Sequence, residues 1–283
     1  MPERPMLVLT ATGGQGRAVT AGLLDRGAEV RALVRDPGSP AAQALRRRGV
    51  EVVPGLLDDA HSLTAAMRGV AGVFALTTPF EAGAEAEVAQ GRAILAAARA
   101  ADVGHLVFSS VAGATQRTGV PHFDSKAIVE AEVRASGLPY TILGPTYFFD
   151  NALGGYQQIL TGTLDLPLPG DRPLQQLARS DHGAFAAEVL VHAEKYVGQR
   201  IELASDAPTP TRMALALSEI VGREVRHNRV PLDAIGNADM HAMWAFLNGT
   251  GYQVDIPALH AAHPEIAWTT FASWAQQTFG GQS

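Results

Sequence analysis

The stretch Leu7-Val8-Leu9-Thr10-Ala11-Thr12-Gly13-Gly14-Gln15-Gly16-Arg17-Ala18-Val19 decides how the rest of the chain is read. Apolar residues run to Leu9, a glycine-rich turn follows, and a helical pattern starts at once behind it. This predicts a buried parallel strand ending near Thr10 and a first helix over residues 15–25. A helix that opens out of such a turn presents its unpaired N–H groups and positive dipole end, the geometry that receives a pyrophosphate. Gly13 and Gly16 match the second and third glycines of the dinucleotide fingerprint, for close backbone approach and for packing of helix on strand. Thr10 stands in place of the first glycine. Thr10, Thr12, Gly13, Gly14, Gln15 and Gly16 are therefore candidate cofactor contacts.

Outward from the turn, residues 29–34 read as a second strand ending at Arg35-Asp36-Pro37-Gly38. Arg35 follows the turn by about 20 residues, where the fingerprint places its ribose-reading side chain. An acid there favours a free 2′-hydroxyl, whereas the planar fork of Arg35 can pair with a 2′-phosphate. NADP(H) is favoured on this ground, and Asp36 beside it leaves NAD(H) open; a solvated strand-end arginine is the plainer reading.

A helix over 39–48, a strand over 50–53 and a helix over 60–67 follow. Asp58 reads as that helix's cap, or with Leu57 as a contact beside an adenine. A fourth strand, 70–76, runs into Thr77-Thr78-Pro79-Phe80, whose hydroxyls and ring suit a ribose and a flat substrate edge. An alanine-rich helix over 81–101 carries Val88, Gly91, Leu95 and Ala98 on one face, and a strand over 105–108 ends at Ser109-Ser110. Strand and helix alternate without hairpin signals, which predicts an α/β, doubly wound parallel sheet of Rossmann type with right-handed crossovers.

Composition narrows the function classes. The chain has 283 residues, 47% hydrophobic and 18% charged, with a net charge of −6. An acidic balance argues against nucleic acid as a ligand, and Arg46-Arg47-Arg48 reads as a helix C-terminus instead. Without cysteine there are no disulfides, zinc–thiolate sites or thiol catalysis, which suits a reducing cytoplasm. Met1-Pro2-Glu3-Arg4-Pro5 runs straight into a strand with no signal peptide visible, and no apolar stretch approaches the ~20 residues of a membrane span. His241, His260 and His263 lack carboxylate spacing typical of a metal site, so no metal is expected. Richness in alanine, arginine and glycine suggests a GC-rich bacterial genome.

Farther on, Val120-Pro121-His122-Phe123-Asp124-Ser125-Lys126 opens a helix in which His122 and Lys126 share one face, a turn apart. The chain here resembles the NmrA-like branch of the atypical short-chain dehydrogenase/reductases. The resemblance rests on the Thr-Gly-x-x-Gly turn, strand-end Ser-Ser-Val-Ala-Gly, the His-Phe-Asp-Ser-Lys helix and the Leu-Pro-Tyr-Thr-Ile-Leu strand. It continues through Ser180-Asp181-His182-Gly183 and Tyr252-Gln253-Val254-Asp255, over nearly the whole chain.

Mainstream members of the superfamily use a Tyr-x-x-x-Lys pair. This chain keeps Lys126 and has His122 at the tyrosine position. The resemblance thus implies three roles to weigh: Lys126 as a ribose and nicotinamide clamp, Lys126 as general acid/base, or His122 as proton donor, since an imidazole suits proton transfer near neutrality. A packed or capping histidine is an equal reading. Ser109 and Ser110 resemble the position of the carbonyl-polarising hydroxyl, and Ser110 is taken as the candidate, with Val111 next to it toward the substrate. Gly144 replaces an arginine usual in relatives, while Pro145, Tyr147 and Phe148 resemble the loop against the nicotinamide. Tyr147, Phe148 and Phe149 make a flat apolar wall, or in part core.

In the C-terminal third, a helix within 154–168, a hairpin or loop over 166–173, and a helix opened by Asp181 are expected. A strand over 199–204 returns to the main sheet in the resembled fold. A helix over 208–221 capped by Thr209 or Thr211, a strand over 225–230 and an apolar-striped helix over 239–248 complete the pattern. Met240, Met243 and Trp244 on that last helix line a hydrophobic substrate pocket if they are not core. The organisation expected is a dinucleotide-binding domain over 1–150 and a smaller, interleaved substrate-binding part over 151–283, with about 181–204 returning to the sheet.

Together these readings predict an NAD(P)H-dependent oxidoreductase reducing a flat aromatic or quinone-like carbonyl compound, in the setting of aromatic polyketide tailoring, as a cytoplasmic monomer or homodimer. Phe80, Val111, Tyr147, Phe149, Met240, Met243 and Trp244 are its candidate substrate contacts, and Lys126, His122 and Ser110 its catalytic ones. The alternatives are an NAD(P)-binding redox sensor without turnover, or a tailoring oxygenase or coupling enzyme on the same scaffold.

Overall fold

The computed structural model describes residues 4–281. Met1, Pro2 and Glu3, part of the stretch read above for a leader, lie outside them. The first half alternates as β1 (Met6–Val8), α1 (Gly14–Asp25), β2 (Val30–Val34), α2 (Pro40–Arg47), β3 (Glu51–Pro54), α3 (Ala60–Met67), β4 (Gly72–Leu76), α4 (Gly83–Ala100), β5 (Leu106–Ser109), α5 (Pro121–Ala135) and β6 (Tyr140–Pro145). The second half contains β7 (Tyr147–Phe148), α6 (Tyr156–Thr161), β8 (Thr163–Leu166), β9 (Gln176–Leu177), α7 (Arg179–Val191), α8 (Ala193–Tyr196) and β10 (Arg200–Leu203). It closes with α9 (Pro210–Val221), β11 (Arg226–Arg229), α10 (Ala238–Asn248), α11 (Ile256–Ala262) and α12 (Phe271–Phe279).

The main sheet has 7 strands in the order β10-β6-β5-β4-β1-β2-β3. Every pairing in it is parallel. The chain first steps from β1 outward to β3, then returns to the other side of β1 and builds β4, β5 and β6. That reversal leaves a crevice at the carboxyl ends of β1 and β4, the switch point where such sheets bind ligands. Residues 106–109 pair with 140–143, and β10 adds itself beyond β6 after a long excursion.

Two apolar layers sandwich the sheet. Val8, Phe74, Val107 and Leu143 face α1 and α7, whereas Leu7, Val73, Leu106 and Ile142 face α3, α4 and α5. Alternation along each strand sends successive side chains to opposite layers. On α4 the expected stripe of Val88, Gly91, Leu95 and Ala98 is buried. Helices α1 and α7 touch backbone to backbone, since a Cβ on Gly183 would lie 2.3 Å from Ala18 O. A separate core of Phe149, Leu168, Met213, Leu217, Trp244, Phe271 and Phe279 holds the C-terminal part together. Among the described residues no helix is long and apolar enough to cross a membrane.

Several local expectations are corrected. Asp59, not Asp58, caps α3, accepting from the His61 N–H at 3.0 Å. Helix α7 opens at Arg179 and not at Asp181, whose carboxylate instead holds Ser205 and Thr269. The hairpin or loop over 166–173 is a loop after β8, and β8 pairs in parallel with the distant β11. Helices α11 and α12 fall where no element was predicted, each announced by an N-cap (Asp255, Thr270).

Candidate functional site

Close contact shapes the loop between β1 and α1. Thr10 has φ 53°, in the left-handed region, and its carbonyl accepts from the Gly13 N–H at 2.8 Å. A Cβ on Gly16 would lie 2.3 Å from Thr10 O, so only glycine lets α1 start this near β1. The position that lacks its fingerprint glycine is thus one whose backbone favours glycine, and the turn still forms.

Gly13 caps α1 without a side-chain hydrogen bond, and its first turn carries no acid. The first N–H groups and the positive helix end are left for a ligand. Arg179 lies over this end: a Cβ on Gly14 would be 2.9 Å from its guanidinium carbon. The same guanidinium faces the Phe148 ring and lies 3.4 Å from Asp150. Helix end and arginine form an electropositive ledge suited to a diphosphate, and nothing in local sequence spacing pointed to Arg179.

Gln15 accepts from Ser109 Oγ at 2.7 Å, and Ser109 Oγ lies 3.2 Å from His182 Nε2. This chain of contacts ties the start of α1 to the end of β5. His182 is fully buried between the rings of Phe74 and Phe148, and burial pulls its pKa down to about 3. Ser110 Oγ, also buried, has no hydrogen-bond partner among the described residues. Of the two serines, Ser110 is the one with a free hydroxyl.

Arg35 follows β2 with its side chain 73% exposed and lies 3.2 Å from Glu81, a surface pairing that holds it weakly. Leu57 and Asp58 sit just beyond β3, half-buried and exposed respectively. Thr12 is half-buried in the glycine turn. The Thr78 N–H is taken by Gln90, at 3.2 Å.

Helix α5 starts with Pro121 at a position that needs no N–H, and it buries both His122 and Lys126. Lys126 Nζ donates to Thr77 O at 2.6 Å and Thr77 Oγ1 at 3.1 Å, and it lies 2.8 Å from Glu87 Oε1. Glu87 is fully buried on α4 and also receives the hydroxyls of Thr77 (2.9 Å) and Ser125 (2.5 Å). Burial lowers the Lys126 pKa, and the Glu87 charge opposes that shift. One turn earlier, His122 Nδ1 lies 2.6 Å from Asp239 Oδ1. The same carboxylate accepts the His122 backbone N–H at 3.3 Å, so it also caps α5. The His122 ring contacts Phe80 and Phe123.

Sequence reasoning missed Glu87, Asp239 and Arg179. The signal for Glu87 was a charge beside the apolar stripe of α4. Asp239 is 117 residues from its partner, and no spacing rule reaches that far.

The candidate substrate residues separate. Tyr147 and Trp244 pack at 5.4 Å and line a cavity of about 250 Å³ with Asn151, Leu164, Met213 and Gln176. Phe80 is 70% exposed at the rim beside His122, Val111 is half-buried after Ser110, and Met240 is half-buried on α10. Met243 is buried in the second core. Phe149 is a correction: it is fully buried against Phe271 and Trp274, so it packs the core and forms no wall. Pro145 is buried at the end of β6. A Cβ on Gly144 would meet Ala112 and Glu202 at 3.3 Å, so the space beside Gly144 is filled by packing.

These features fit a bound dinucleotide: a cradle that a Cβ would fill, a bare helix end, a cation over it and a free buried hydroxyl. The comparisons agree. The chain is 34% identical over 239 residues to the (4-alkanoyl-5-oxo-2,5-dihydrofuran-3-yl)methyl phosphate reductase of Streptomyces griseus, covering 83% of this chain and 80% of that one. It is 30% identical over 229 residues to the NAD(P)H azoreductase of Xenophilus azovorans, covering 81% and 78%. Its structure superposes on the Escherichia coli NADPH-dependent quinone oxidoreductase, complexed with NADPH, with TM-score 0.82 and 26% identity over 97% of this chain and 99% of that one. The family model described as NmrA-like matches residues 2–275, and the chain belongs to the NmrA-like family.

Proposed function

We propose that the protein is an NAD(P)H-dependent reductase of a flat, conjugated carbonyl compound, aromatic or quinone-like. The observation that carries this reading is the pair of anchored side chains on α5, Lys126 on Glu87 and His122 on Asp239, beside the switch-point crevice. The names of the relatives, reductases of a dihydrofuranone phosphate, an azo compound and a quinone, support the coarser statement of an NAD(P)H-dependent oxidoreductase.

A reduced nicotinamide, when bound, supplies hydride. The turn residues 10–16 and Arg179 receive the diphosphate, Pro145, Tyr147 and Phe148 wall the nicotinamide side, and Leu57, Asp58, Thr77 and Thr78 border the adenosine and ribose portions. Arg35 reads a 2′-phosphate, which makes NADP(H) the preferred form. Lys126 has its three donor directions met by Thr77 and Glu87, so it acts as a fixed positive charge beside the ribose and nicotinamide and not as the proton donor. His122 gives the proton: Asp239 holds Nδ1 and orients the ring, leaving Nε2 for the substrate oxygen. The free Ser110 hydroxyl polarises that oxygen, with Phe80, Val111 and Met240 around the approach and Met243 packed in the core behind them. In this reading the flat aromatic substrate is an intermediate of aromatic polyketide tailoring in the cytoplasm.

The test is NADPH oxidation with a panel of quinones and aromatic ketones. His122→Asn is expected to lower kcat by about 10²–10⁴-fold while NADPH binding stays intact. Cofactor binding with no turnover on any member of the panel would sink the reductase reading and favour a redox sensor. Hydride consumption out of step with product would favour an oxygenase or coupling enzyme. Arg35→Ala is expected to weaken NADPH more than NADH, and equal weakening removes the 2′-phosphate assignment.

A further inference from the structure

The cavity beside Tyr147 and Trp244 holds one polar side chain with nothing to bind. Gln176 is 1% exposed, lines the cavity, and its Oε1 has no hydrogen-bond partner among the described residues. Its position is fixed by its backbone, which donates to Asp206 O at 2.8 Å and accepts from the Ser205 N–H at 2.7 Å. Register places Gln176 directly beside Tyr147 in the parallel β7–β9 pair, so both side chains emerge on the same face. Tyr147 and Asn151 line the same cavity. A buried amide without a partner is unfavourable, and a ligand oxygen that pairs with it removes that penalty.

We infer that this cavity is a chamber for a neutral system of one or two rings carrying one oxygen substituent, which the Gln176 amide recognises. Oε1 accepts from a ring hydroxyl, and the amide turned over donates to a ring carbonyl. The rest of the wall is mostly apolar, with Ile159, Leu164, Leu166, Met213 and Trp244 giving it a flat hydrophobic lining. Charge decides against an anionic ligand: Asp165 is the charged residue of the lining, and no lysine or arginine belongs to it. The chamber therefore selects an uncharged oxygenated ring over a phosphorylated or carboxylated one. As a substrate site it rests on the reductase reading, but its selectivity can be measured without turnover.

The experiment is equilibrium binding to the full chain, read by quenching of tryptophan fluorescence, since Trp244 stands in the wall. The probes are 2-naphthol, 2-methylnaphthalene and 2-naphthoate. The wild-type protein is expected to bind 2-naphthol about tenfold more tightly than 2-methylnaphthalene, the scale of one hydrogen bond, and 2-naphthoate most weakly. Gln176→Leu is expected to erase the preference for the hydroxyl while retaining 2-methylnaphthalene binding, the wild-type melting temperature and NADPH affinity. Equal binding of the two neutral probes by the wild type, a preference that survives in Gln176→Leu, or tightest binding of 2-naphthoate would each overturn the proposal. Should Gln176→Leu fail to fold, Gln176→Met is read in the same way. Naphthol selectivity without NADPH turnover would remove the reductase reading alone, and turnover without that selectivity would remove only the chamber.

Discussion

At the glycine turn the cofactor crevice is made of backbone: Thr10 O, the bare N–H groups of α1, and a Gly16 with no room for a side chain. At α5 it is made of side chains brought from four separate segments, with Thr77, Glu87 and Asp239 holding Lys126 and His122. The first region depends on shape within a few residues, and a single added carbon disturbs it. The second depends on charge compensation across the fold, and it tolerates new carbons better than it tolerates an unpaired ion. Ser109 and His182 tie the turn to the end of β5 and to α7, because Ser109 reaches both Gln15 and His182.

The sharpest way to break this contrast is to uncouple the buried ion pair. Glu87→Gln leaves Lys126 without its counter-charge and is expected to destabilise the fold by about 3–5 kcal/mol, seen in chemical denaturation. The double variant Glu87→Gln/Lys126→Met should recover much of that loss, and a double variant no better than the single would show that Glu87 acts through Ser125 and Thr77 alone.

The matching test at the turn is Gly16→Ala. Overpacking against Thr10 is expected to cost about 1–3 kcal/mol and, because α1 must shift, to weaken NADPH binding. Unchanged affinity would mean that the turn does not position the cofactor.

The contact that ties the turn to β5 and α7 is probed by acid. His182 has a folded pKa of about 3, below the ordinary 6.5, so the unfolded chain binds more protons between those values. Stability therefore falls as pH drops from about 6.5 toward 3. His182→Gln should flatten this limb in denaturation series across pH, leaving the smaller share that His105, lowered to about 4, contributes. An unaltered slope would assign the acid sensitivity elsewhere.

The smallest effect is expected at Thr10. Thr10→Gly relieves a left-handed residue and should stabilise by about 1 kcal/mol, with cofactor affinity equal to or above the wild type. A loss of affinity would show instead that the Thr10 hydroxyl, buried without a partner, belongs to the cofactor site.

Residues whose partners lie within a turn or two were legible in the sequence. The strand–turn–helix opening, the alternation of strands with helices, the shared face of His122 and Lys126 and the return of a late strand to the sheet all follow from periodicity, local turn chemistry or resemblance. Asp58 against Asp59 shows the limit even there, since adjacent acids compete for one cap and only the backbone angles choose. Phe149 shows it for aromatics, because three rings in a row give no sign of which turns inward.

What the sequence by itself determined is therefore the doubly wound sheet, the crevice at its switch point and the side chains of α5 that face it. Tertiary structure alone decided that Glu87 and Asp239 hold Lys126 and His122, that Arg179 covers the glycine turn, and that Gln176 is buried beside Tyr147 with its amide free. The reason is physical: helical and strand periods fix which face a residue occupies, but a charge or amide finds its partner through packing of segments far apart in the chain, which no local period encodes.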